Sequence, residues 1–448
     1  MQWLALTRAE TKDDTIYFAY TTSEQQEYAV EIRYSINVER AVAKYPRRSI
    51  ARLLQCLGLA SASNFFNFAY YDEIRALYPL TAAEKQLFED FYFHGLAEFR
   101  LHNSLPIGLR TAVISGTADL PADTPGQVTP TLRGAIVTNG GGKDGATGQE
   151  AAHAILNGEV TWFTFNKKGH RETIIARSPS QAEVSATRVC TPSPHTGNRY
   201  RGHKPFSGTI AFMATFAALL AGRQYVIVSN EFSASEGNLV VDGIEVNHQY
   251  SKSFDFELQA NQVISLLDLG IYYFSILRPL YELQILGIFK QYSTYHDIFV
   301  SCNHGVTQAV WCLKCAKCAF LALGITALDP ELAKRIWGDD LVVARPELRA
   351  FIIAMVDPNA PKPFECVGTL DECQLALGML QRNTSFFGQL PLDYQQQLAQ
   401  FAPSDFRGLY EKIYTAINRP ENFPPELRPA LHKFFSARLL AATTNPRA

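Results

Sequence analysis

The sequence predicts an α/β protein built around a parallel β-sheet. Short apolar runs alternate with helical stretches through the middle of the chain, which is the rhythm of a parallel sheet covered by helices. With 448 residues the chain is long for one core and fits two or three domains. It is 47% hydrophobic and contains 29 Phe and 20 Tyr, so large cores can be built.

An N-terminal α+β domain is predicted over residues 1–114. The runs TIYFAYTT and YAVEIRYS alternate between apolar and polar residues and are separated by SEQQE, which predicts an antiparallel strand pair. From Arg47 to Leu105 the pattern becomes helical, as in SIARLLQCLGLA and AAEKQLFEDFYFHGLAEFRL. Residues 115–131 are dense in Pro, Gly, Thr and Asp, which predicts a linker or long surface loop.

Residues 132–330 contain the predicted parallel sheet. Its strands are expected at AIVT, VTWFTF, QYVIVSN, IYYFSIL and DIFVSC, with helices at TIAFMATFAALLAG and DFELQANQVISLLDLG. Residues 331–448 have mostly helical patterns, interrupted by the Pro-rich segment DPNAPKPFECVG. The sequence therefore predicts a helical C-terminal region after the sheet.

Charge and cysteine content restrict the classes of function. The formal net charge is -2 and no basic block is present, so a nucleic-acid partner is not expected. No apolar run reaches the roughly 18–20 residues of a membrane span. The first residues lack the basic and apolar regions of a secretory signal, and eight cysteines do not form a dense disulfide framework in a chain of this size. We therefore expect a soluble, cytoplasmic protein.

The stretch IVTNGGGKDG, residues 136–145, predicts an anion site. A strand runs into it and TGQEAAHAIL follows as the first turns of a helix, so the glycines join a strand to a helix. Helix N-termini expose unpaired N–H groups, and consecutive glycines let these groups approach an anion without a Cβ in the way. A phosphate or pyrophosphate is the expected ligand, and a tight turn that binds nothing is the alternative.

The glycine spacing matches neither GxxxxGK[ST] nor GxGxxG. It resembles the PP-loop, SGGxDS, of the ATP pyrophosphatases, which cleave ATP between its α and β phosphates. Gly141, Gly142 and Asp144 match this pattern, whereas Gly140 and Gly145 stand where that family has serines. The resemblance implies a Rossmann-like, PP-loop ATP-binding catalytic domain over residues 132–330, in which backbone donors bind the pyrophosphate.

Four cysteines lie within seventeen residues, in SCNHGVTQAVWCLKCAKC. Thiolates build tetrahedral zinc sites, and CxxC spacing places two of them on one metal. Cys312, Cys315 and Cys318 have this spacing, and Cys302, at the end of an expected strand, could complete the set. Buried thiols on one side of a packed helix are the alternative to zinc.

Three polar stretches stand out between the expected strands and helices: NRYRGHKPFSG (198–208), SNEFSASEGN (229–238) and VNHQYSKSFDFE (246–257). The second follows the strand YVIV and should lie at the C-terminal edge of the parallel sheet, where ligands bind. Cations near a phosphate loop can bind an anionic substrate, and histidines or lysines with shifted pKa values can transfer protons.

The blocks GGGKDG, HKPFSG, SNEFSASEGN, VNHQYSKSFDFE and WCLKCAKCAF together resemble the UDP-N-acetylmuramoyl-L-alanyl-L-glutamate epimerases, the MurL family. The resemblance covers nearly the full chain. It implies an enzyme of peptidoglycan synthesis that inverts the terminal L-Glu of the UDP-N-acetylmuramoyl dipeptide to D-Glu. It also implies that ATP is consumed to AMP and diphosphate, with an acyl-adenylate of the substrate as the intermediate.

With this resemblance, the glycine loop is expected to bind the pyrophosphate of ATP through Gly140, Gly141, Gly142, Lys143 and Gly145. Asp144 is expected at Mg²⁺. Phosphates or carboxylates of the substrate are expected at Arg201, Lys204 and Lys252.

Proton transfer is expected from His203 and His248, with Glu231 and Glu236 as competing candidates. Two other functions stay open at this point. One is a PP-loop enzyme that adenylates an acid and captures ammonia, as the cyano-deazaguanine synthases do. Those enzymes have a similar cysteine spacing and contain a structural zinc. The other is a nucleotide- or zinc-binding interaction module without catalysis.

Overall fold

The structure is a computed structural model. It describes residues 1–124, 129–167, 169–193, 197–302, 304–305, 308–417 and 419–443.

The strands of the described residues form one sheet of ten and a separate hairpin. They are β1 (Trp3–Lys12), β2 (Thr15–Thr22), β3 (Glu27–Tyr34), β4 (Glu73–Arg75), β5 (Ala112–Ile114), β6 (Ala135–Thr138), β7 (Val160–Phe165), β8 (Glu183–Thr191), β9 (Tyr225–Val228), β10 (Leu239–Val241), β11 (Ile244–Val246) and β12 (Tyr272–Ser275). The order in the large sheet is β12-β9-β6-β7-β8-β3-β2-β1-β4-β5, and β10 pairs with β11. All neighbours from β12 to β8 are parallel, whereas β8, β3, β2 and β1 pair antiparallel. The sheet is therefore mixed and mostly parallel, which confirms the predicted α/β class.

Helices cover both faces of this sheet. They are α1 (Val38–Val42), α2 (Arg47–Ala62), α3 (Ala82–Gly95), α4 (Ala97–His102), α5 (Lys143–Ile155), α6 (His170–Arg177), α7 (Phe206–Ala221), α8 (Phe254–Ser265), α9 (Glu282–Phe289), α10 (Ala316–Leu328), α11 (Pro330–Trp337), α12 (Pro346–Val356), α13 (Leu370–Arg382), α14 (Thr384–Phe387), α15 (Leu392–Ala399), α16 (Phe406–Tyr410) and α17 (Arg428–Thr443). Among the described residues, no helix is long and apolar enough to cross a membrane.

The central strands are apolar throughout because both of their faces are buried. Val137 and Ile227 point into a core formed with α5, α9, α10 and the C-terminal helices. Their neighbours Ile136 and Val226 point into a second core formed with β1–β3, α2, α3, α7 and α8. The alternation of side chains along a strand thus supplies two cores from one short apolar run.

Most predicted strands and helices are found where the sequence patterns placed them. AIVT and VTWFTF are β6 and β7, and the predicted antiparallel pair is β2 and β3. The prediction of a strand at residues 297–302 is wrong, because this segment forms turns and extended loop rather than a strand. Its apolar side chains Phe299 and Val300 are buried, but the Val300 N–H donates to the Gly141 carbonyl at 3.3 Å instead of extending the sheet.

The regions on the two sides of the predicted linker contribute strands to one sheet. Strands from 1–114 and from 132–330 belong to the same sheet, joined where β3 pairs with β8. The described residues of 115–131 contain no helix or strand, and residues 125–128 lie outside the described residues. The described residues of 331–448 contain helices and no strand. The division into domains at these boundaries stays a prediction.

Candidate active site

A cavity of about 350 Å³ opens at the C-terminal ends of the parallel strands β6 and β9. This edge is where open parallel sheets bind their ligands. The first residues of SNEFSASEGN, Ser229 and Asn230, line the cavity as their position after β9 predicts. Its polar lining includes Asn139, Asp144, Arg171, Ser229, Asn230, Lys252, Ser301 and Lys317, together with the glycines Gly140, Gly142 and Gly145.

The glycine loop joins β6 to α5, as its sequence predicts. Gly142 is the N-cap of α5, and the Gly141 N–H donates to Asn139 Oδ1 at 2.9 Å. Gly141 has a φ of 78°, a left-handed conformation that favours glycine. A Cβ at Gly141 would lie 2.0 Å from His170 Nε2, whereas a Cβ at Gly140 would have no atom within 4 Å. The fold therefore has no space for a side chain at Gly141, whereas it has space for one at Gly140.

Gly141→Ala is expected to destabilise the protein by about 2–5 kcal/mol, because it adds left-handed backbone strain to a clash with buried His170. Gly140→Ala is the matched control, and we expect a change within about 1 kcal/mol. Urea unfolding of the two variants and the wild type measures the difference. Equal stability of both variants would contradict this view of the loop.

A buried charge cluster lies beneath the loop. The Lys143 side chain is fully buried and its Nζ pairs with the carboxylates of Asp144 and Glu282, so it does not line the cavity. Burial alone would raise the pKa of Asp144, but Lys143 and Lys317 hold it below its ordinary value. Burial raises the pKa of Glu282 to about 8, against the positive charge of Lys143. At neutral pH the carboxylate that faces the cavity, Asp144, is thus the ionised one.

Lys252 borders the same cavity, and contacts on its buried side hold it in place. Its Nζ lies 3.2 Å from Cys366 Sγ. Burial alone would lower the pKa of Lys252, but Cys366 and Glu231 raise it, so the ammonium stays charged. Buried Arg278 donates to the carbonyls of Lys252 and Glu231 at 2.5 and 2.7 Å and pairs with Glu257 at 2.8 Å. One guanidinium therefore positions the backbone at two predicted site residues.

Glu231 is buried next to this lysine. Its side chain is 3% exposed, and within the described chain its Oε1 has no hydrogen-bond partner. A buried carboxylate oxygen without a partner costs folding free energy, and such groups occur at functional sites.

His203 and His248, which are 45 residues apart in sequence, come together with their ring centroids 4.1 Å apart. The His248 Nδ1–H donates to Glu98 Oε2 at 2.5 Å, since an ionised carboxylate only accepts. With Nδ1–H as the donor to this carboxylate, Nε2 is the unprotonated nitrogen in the neutral form of the ring. Burial lowers the pKa of His203 to about 3, helped by the charges of His248, Lys252 and Lys204. His203 is therefore neutral at physiological pH.

The depressed pKa of His203 predicts a pH dependence of stability. Between its folded pKa of about 3 and its unfolded value of 6.5 the unfolded state binds the additional proton, so stability falls as the pH is lowered. At about 1.4 kcal/mol per pKa unit, protonation linked to His203 should lower the free energy of unfolding by about 2 kcal/mol as the pH falls from 6.5 to 5. Urea unfolding at about pH 7 and pH 5 should show that His203→Gln loses about 2 kcal/mol less than the wild type. An equal loss in both proteins would refute the assignment, and exposed His102→Gln is the control.

Three further predicted residues, Arg201, Lys204 and Glu236, do not line the cavity. Lys204 is half-buried, donates to Asn67 Oδ1 at 2.7 Å, and burial lowers its pKa to about 8. Arg201 is exposed and contacts Asn103 through its backbone. Glu236 is half-exposed and lies 3.5 Å from Lys362 Nζ. The structure thus brings Lys204 near the histidine pair but leaves Arg201 and Glu236 at the surface.

The four predicted cysteines converge. The sulfurs of Cys302, Cys312, Cys315 and Cys318 all lie within 4.8 Å of one another, and none forms a disulfide. Lys317, between the last two cysteines, turns towards the cavity.

Several residues of the site were not predicted from the sequence: Glu98, Arg171, Glu282, Ser301, Lys317 and Cys366. Glu98, Glu282 and Cys366 lie far along the chain from the residues they contact. Lys317 carries the one signal that the sequence offered, because it stands between two cysteines of the predicted metal site.

The lining fits a nucleotide with a bound divalent cation. The cavity opens onto the N-terminus of α5, where a side chain at Gly140 would meet open space. Three cations line it: Arg171, Lys252 and Lys317. Arg171 Nε and Ser229 Oγ are buried without hydrogen-bond partners in the described part of the chain. Donors of this kind suit phosphate oxygens, and the ionised Asp144 carboxylate suits Mg²⁺.

Comparison with known proteins identifies the family. The sequence profile of the MurL N-terminal domain matches residues 5–276, and that of the MurL C-terminal domain matches residues 298–404. The chain is 31% identical over 346 residues to the UDP-N-acetyl-alpha-D-muramoyl-L-alanyl-L-glutamate epimerase of Salinispora tropica, covering 74% of both chains. It is 31% identical over 349 residues to the protein of the same name from Xanthomonas oryzae pv. oryzae, covering 74% of this chain and 75% of the relative. No solved structure matches the chain. The resemblance drawn from the sequence motifs is confirmed, and the chain belongs to the MurL family.

Proposed function

We propose that this protein is an ATP-dependent epimerase that inverts the terminal L-Glu of UDP-N-acetylmuramoyl-L-alanyl-L-glutamate to D-Glu and so supplies peptidoglycan synthesis. The relatives carry the name of this epimerase. The observation that supports the use of ATP is one cavity lined by the glycine loop, Asp144, Lys252 and Lys317 together. It combines an anion cradle, a carboxylate for a cation, and two ammonium groups.

Activation of the substrate is the physical reason for coupling inversion to ATP. The α proton beside a free carboxylate is a very weak acid, because its removal places two negative charges on one small unit. Each pKa unit corresponds to about 1.4 kcal/mol, so a side-chain base alone cannot supply the difference. Joining the α-carboxylate to AMP replaces its charge by an acyl phosphate that can delocalise the carbanion. AMP and diphosphate are then the expected products.

The residues of this chain divide these tasks. The backbone N–H groups of Gly140, Gly142 and Gly145 would bind the pyrophosphate, while Lys252 and Lys317 balance its charge. Mg²⁺, held by Asp144, would neutralise charge on the phosphates.

Proton transfer is assigned to the histidine pair. Glu98 binds His248 at Nδ1, so Nε2 is the nitrogen that would accept the α proton, and the ring of neutral His203 lies 4.1 Å away between centroids. Two neighbouring imidazole rings suit inversion, because one ring can remove the α proton and the other can return a proton to the α carbon. Glu231 remains the competing candidate because of its buried, unpartnered oxygen.

The test is an assay of the purified protein with ATP, Mg²⁺ and UDP-N-acetylmuramoyl-L-alanyl-L-glutamate. We expect AMP, diphosphate and, after hydrolysis of the product, D-glutamate. UDP-N-acetylmuramoyl-L-alanine, which lacks the terminal glutamate, is the control and should give no AMP. AMP with incorporation of ammonia and without inversion would replace the epimerase by an amidating enzyme. Absence of both AMP and D-glutamate would reject the proposed function.

A further inference from the structure

The four cysteine sulfurs lie close enough together to share one metal ion, all within 4.8 Å of one another. Cys302, Cys315 and Cys318 are buried and Cys312 is half-buried. The sulfurs of Cys312 and Cys318 are 3.8 Å apart. A Zn–S bond of about 2.3 Å places neighbouring sulfurs of a tetrahedron about 3.8 Å apart, whereas a disulfide would require about 2.05 Å.

Backbone donors surround these sulfurs. The N–H groups of Gly305 and Cys312 donate to Cys302 Sγ at 3.1 and 3.4 Å. The Cys318 N–H donates to Cys315 Sγ at 3.4 Å, at the N-terminus of α10. Such bonds stabilise thiolates, the form that binds metal. Thiols that merely fill a core would be expected to lie along one helix, but Cys302 and Cys312 reach the cluster from outside α10.

The cluster is connected to the glycine loop. Ser301 directly precedes Cys302, and its Oγ accepts from the Lys143 N–H at 3.2 Å. Val300 donates to the Gly141 carbonyl at 3.3 Å. Lys317 lies between two of the cysteines and lines the cavity. Displacement of the cysteines would therefore move the residues that form one wall of the cavity.

We propose that Cys302, Cys312, Cys315 and Cys318 bind a structural Zn²⁺ as four thiolates, and that this zinc site holds Ser301 and Lys317 against the glycine loop. Binding releases the thiol protons to solvent and changes no oxidation state. The set of four sulfur ligands leaves no open coordination position, so the metal contributes to structure and not to catalysis. Zinc binding itself does not depend on the proposed epimerase activity.

The first test is the metal content of the full-length protein by mass spectrometry, where we expect about one Zn²⁺ per chain. Cys312→Ser with Cys315→Ser should lose most of the zinc, whereas Cys190→Ser, a thiol outside the cluster, should retain it. Protein produced with Co²⁺ should show the intense visible absorption of tetrahedral cobalt thiolate. This spectrum tests the site in the wild-type chain even where the double variant does not fold.

The second test is hydrogen exchange of residues 139–147 before and after zinc is removed with a mercurial reagent and a chelator. Faster exchange of this segment in the zinc-free protein is expected, because Ser301 no longer holds the Lys143 N–H. Unchanged exchange would overturn the positioning role. Folded wild-type protein without stoichiometric zinc, or with iron and acid-labile sulfide instead, would overturn the zinc site. Neither readout requires ATP turnover, so the two proposals can fail separately.

Discussion

Asp144→Asn is expected to lower the rate of AMP formation by about two to three orders of magnitude, because the proposed Mg²⁺ would lose its carboxylate ligand and with it several kcal/mol of charge stabilisation. Asparagine keeps the shape of the side chain and removes only its charge. With that charge gone, the pKa of Glu282 should fall, since the negative charge of Asp144 contributes to raising it. Glu282 would then become the ionised partner of Lys143, and the fold should persist.

The measurement is the initial rate of AMP release at saturating ATP and Mg²⁺, with thermal unfolding recorded on the same samples. Asp371→Asn is a matched control, because Asp371 also lies in the first turn of a helix and pairs with a lysine, Lys412, at 2.7 Å. The control should retain normal turnover. Normal turnover by Asp144→Asn would remove Asp144 from the metal site.

His248→Ala is expected to slow inversion by about 10²–10⁴-fold while adenylation continues, because general acid–base catalysis contributes factors of this size. His203→Ala should act in the same direction, since the two rings are neighbours. Glu98→Gln should cause a smaller loss, because the amide can still contact His248 but no longer stabilises its positive form. The informative quantity is the ratio of D-glutamate formed to AMP released.

The comparison uses a single preparation for both products and follows deuterium uptake from D₂O at the α carbon. Exposed His102, at the end of the helix that carries Glu98, gives the control His102→Ala. If both His203→Ala and His248→Ala epimerise at the wild-type rate, the proton is transferred by another group, and Glu231→Gln becomes the next variant. Equal loss of AMP and inversion would indicate a role in binding.

β6, β7, β9 and β12 were predictable because they are largely buried on both faces and each is a short apolar run in the sequence. β8 was not, since EVSATRVCT has one partly exposed, polar face and resembles a loop. The opposite error occurred at residues 297–302, where a strand was predicted and a loop is found. Its apolar residues are buried by the C-terminal helices without strand pairing, and burial alone cannot distinguish a strand from an extended loop.

The glycine loop was located from sequence because its chemistry is local. A strand, three glycines and a helix start are consecutive, so their spatial order follows from their order in the chain. Lys143 shows the limit of that reasoning. Its place in the loop suggested a phosphate ligand, but the side chain is buried between Asp144 and Glu282, and Glu282 is 139 residues away.

The sequence by itself determined the fold class, the position of the glycine loop, the family and the four convergent cysteines, because periodicity and short motifs are properties of neighbouring residues. The tertiary structure alone decided which charges meet. Glu98 reaches His248 across 150 residues, and Cys366 reaches Lys252 across 114. Electrostatic partners act over a few ångströms of space regardless of chain separation, so only the packing of the sheet and its helices brings them within range.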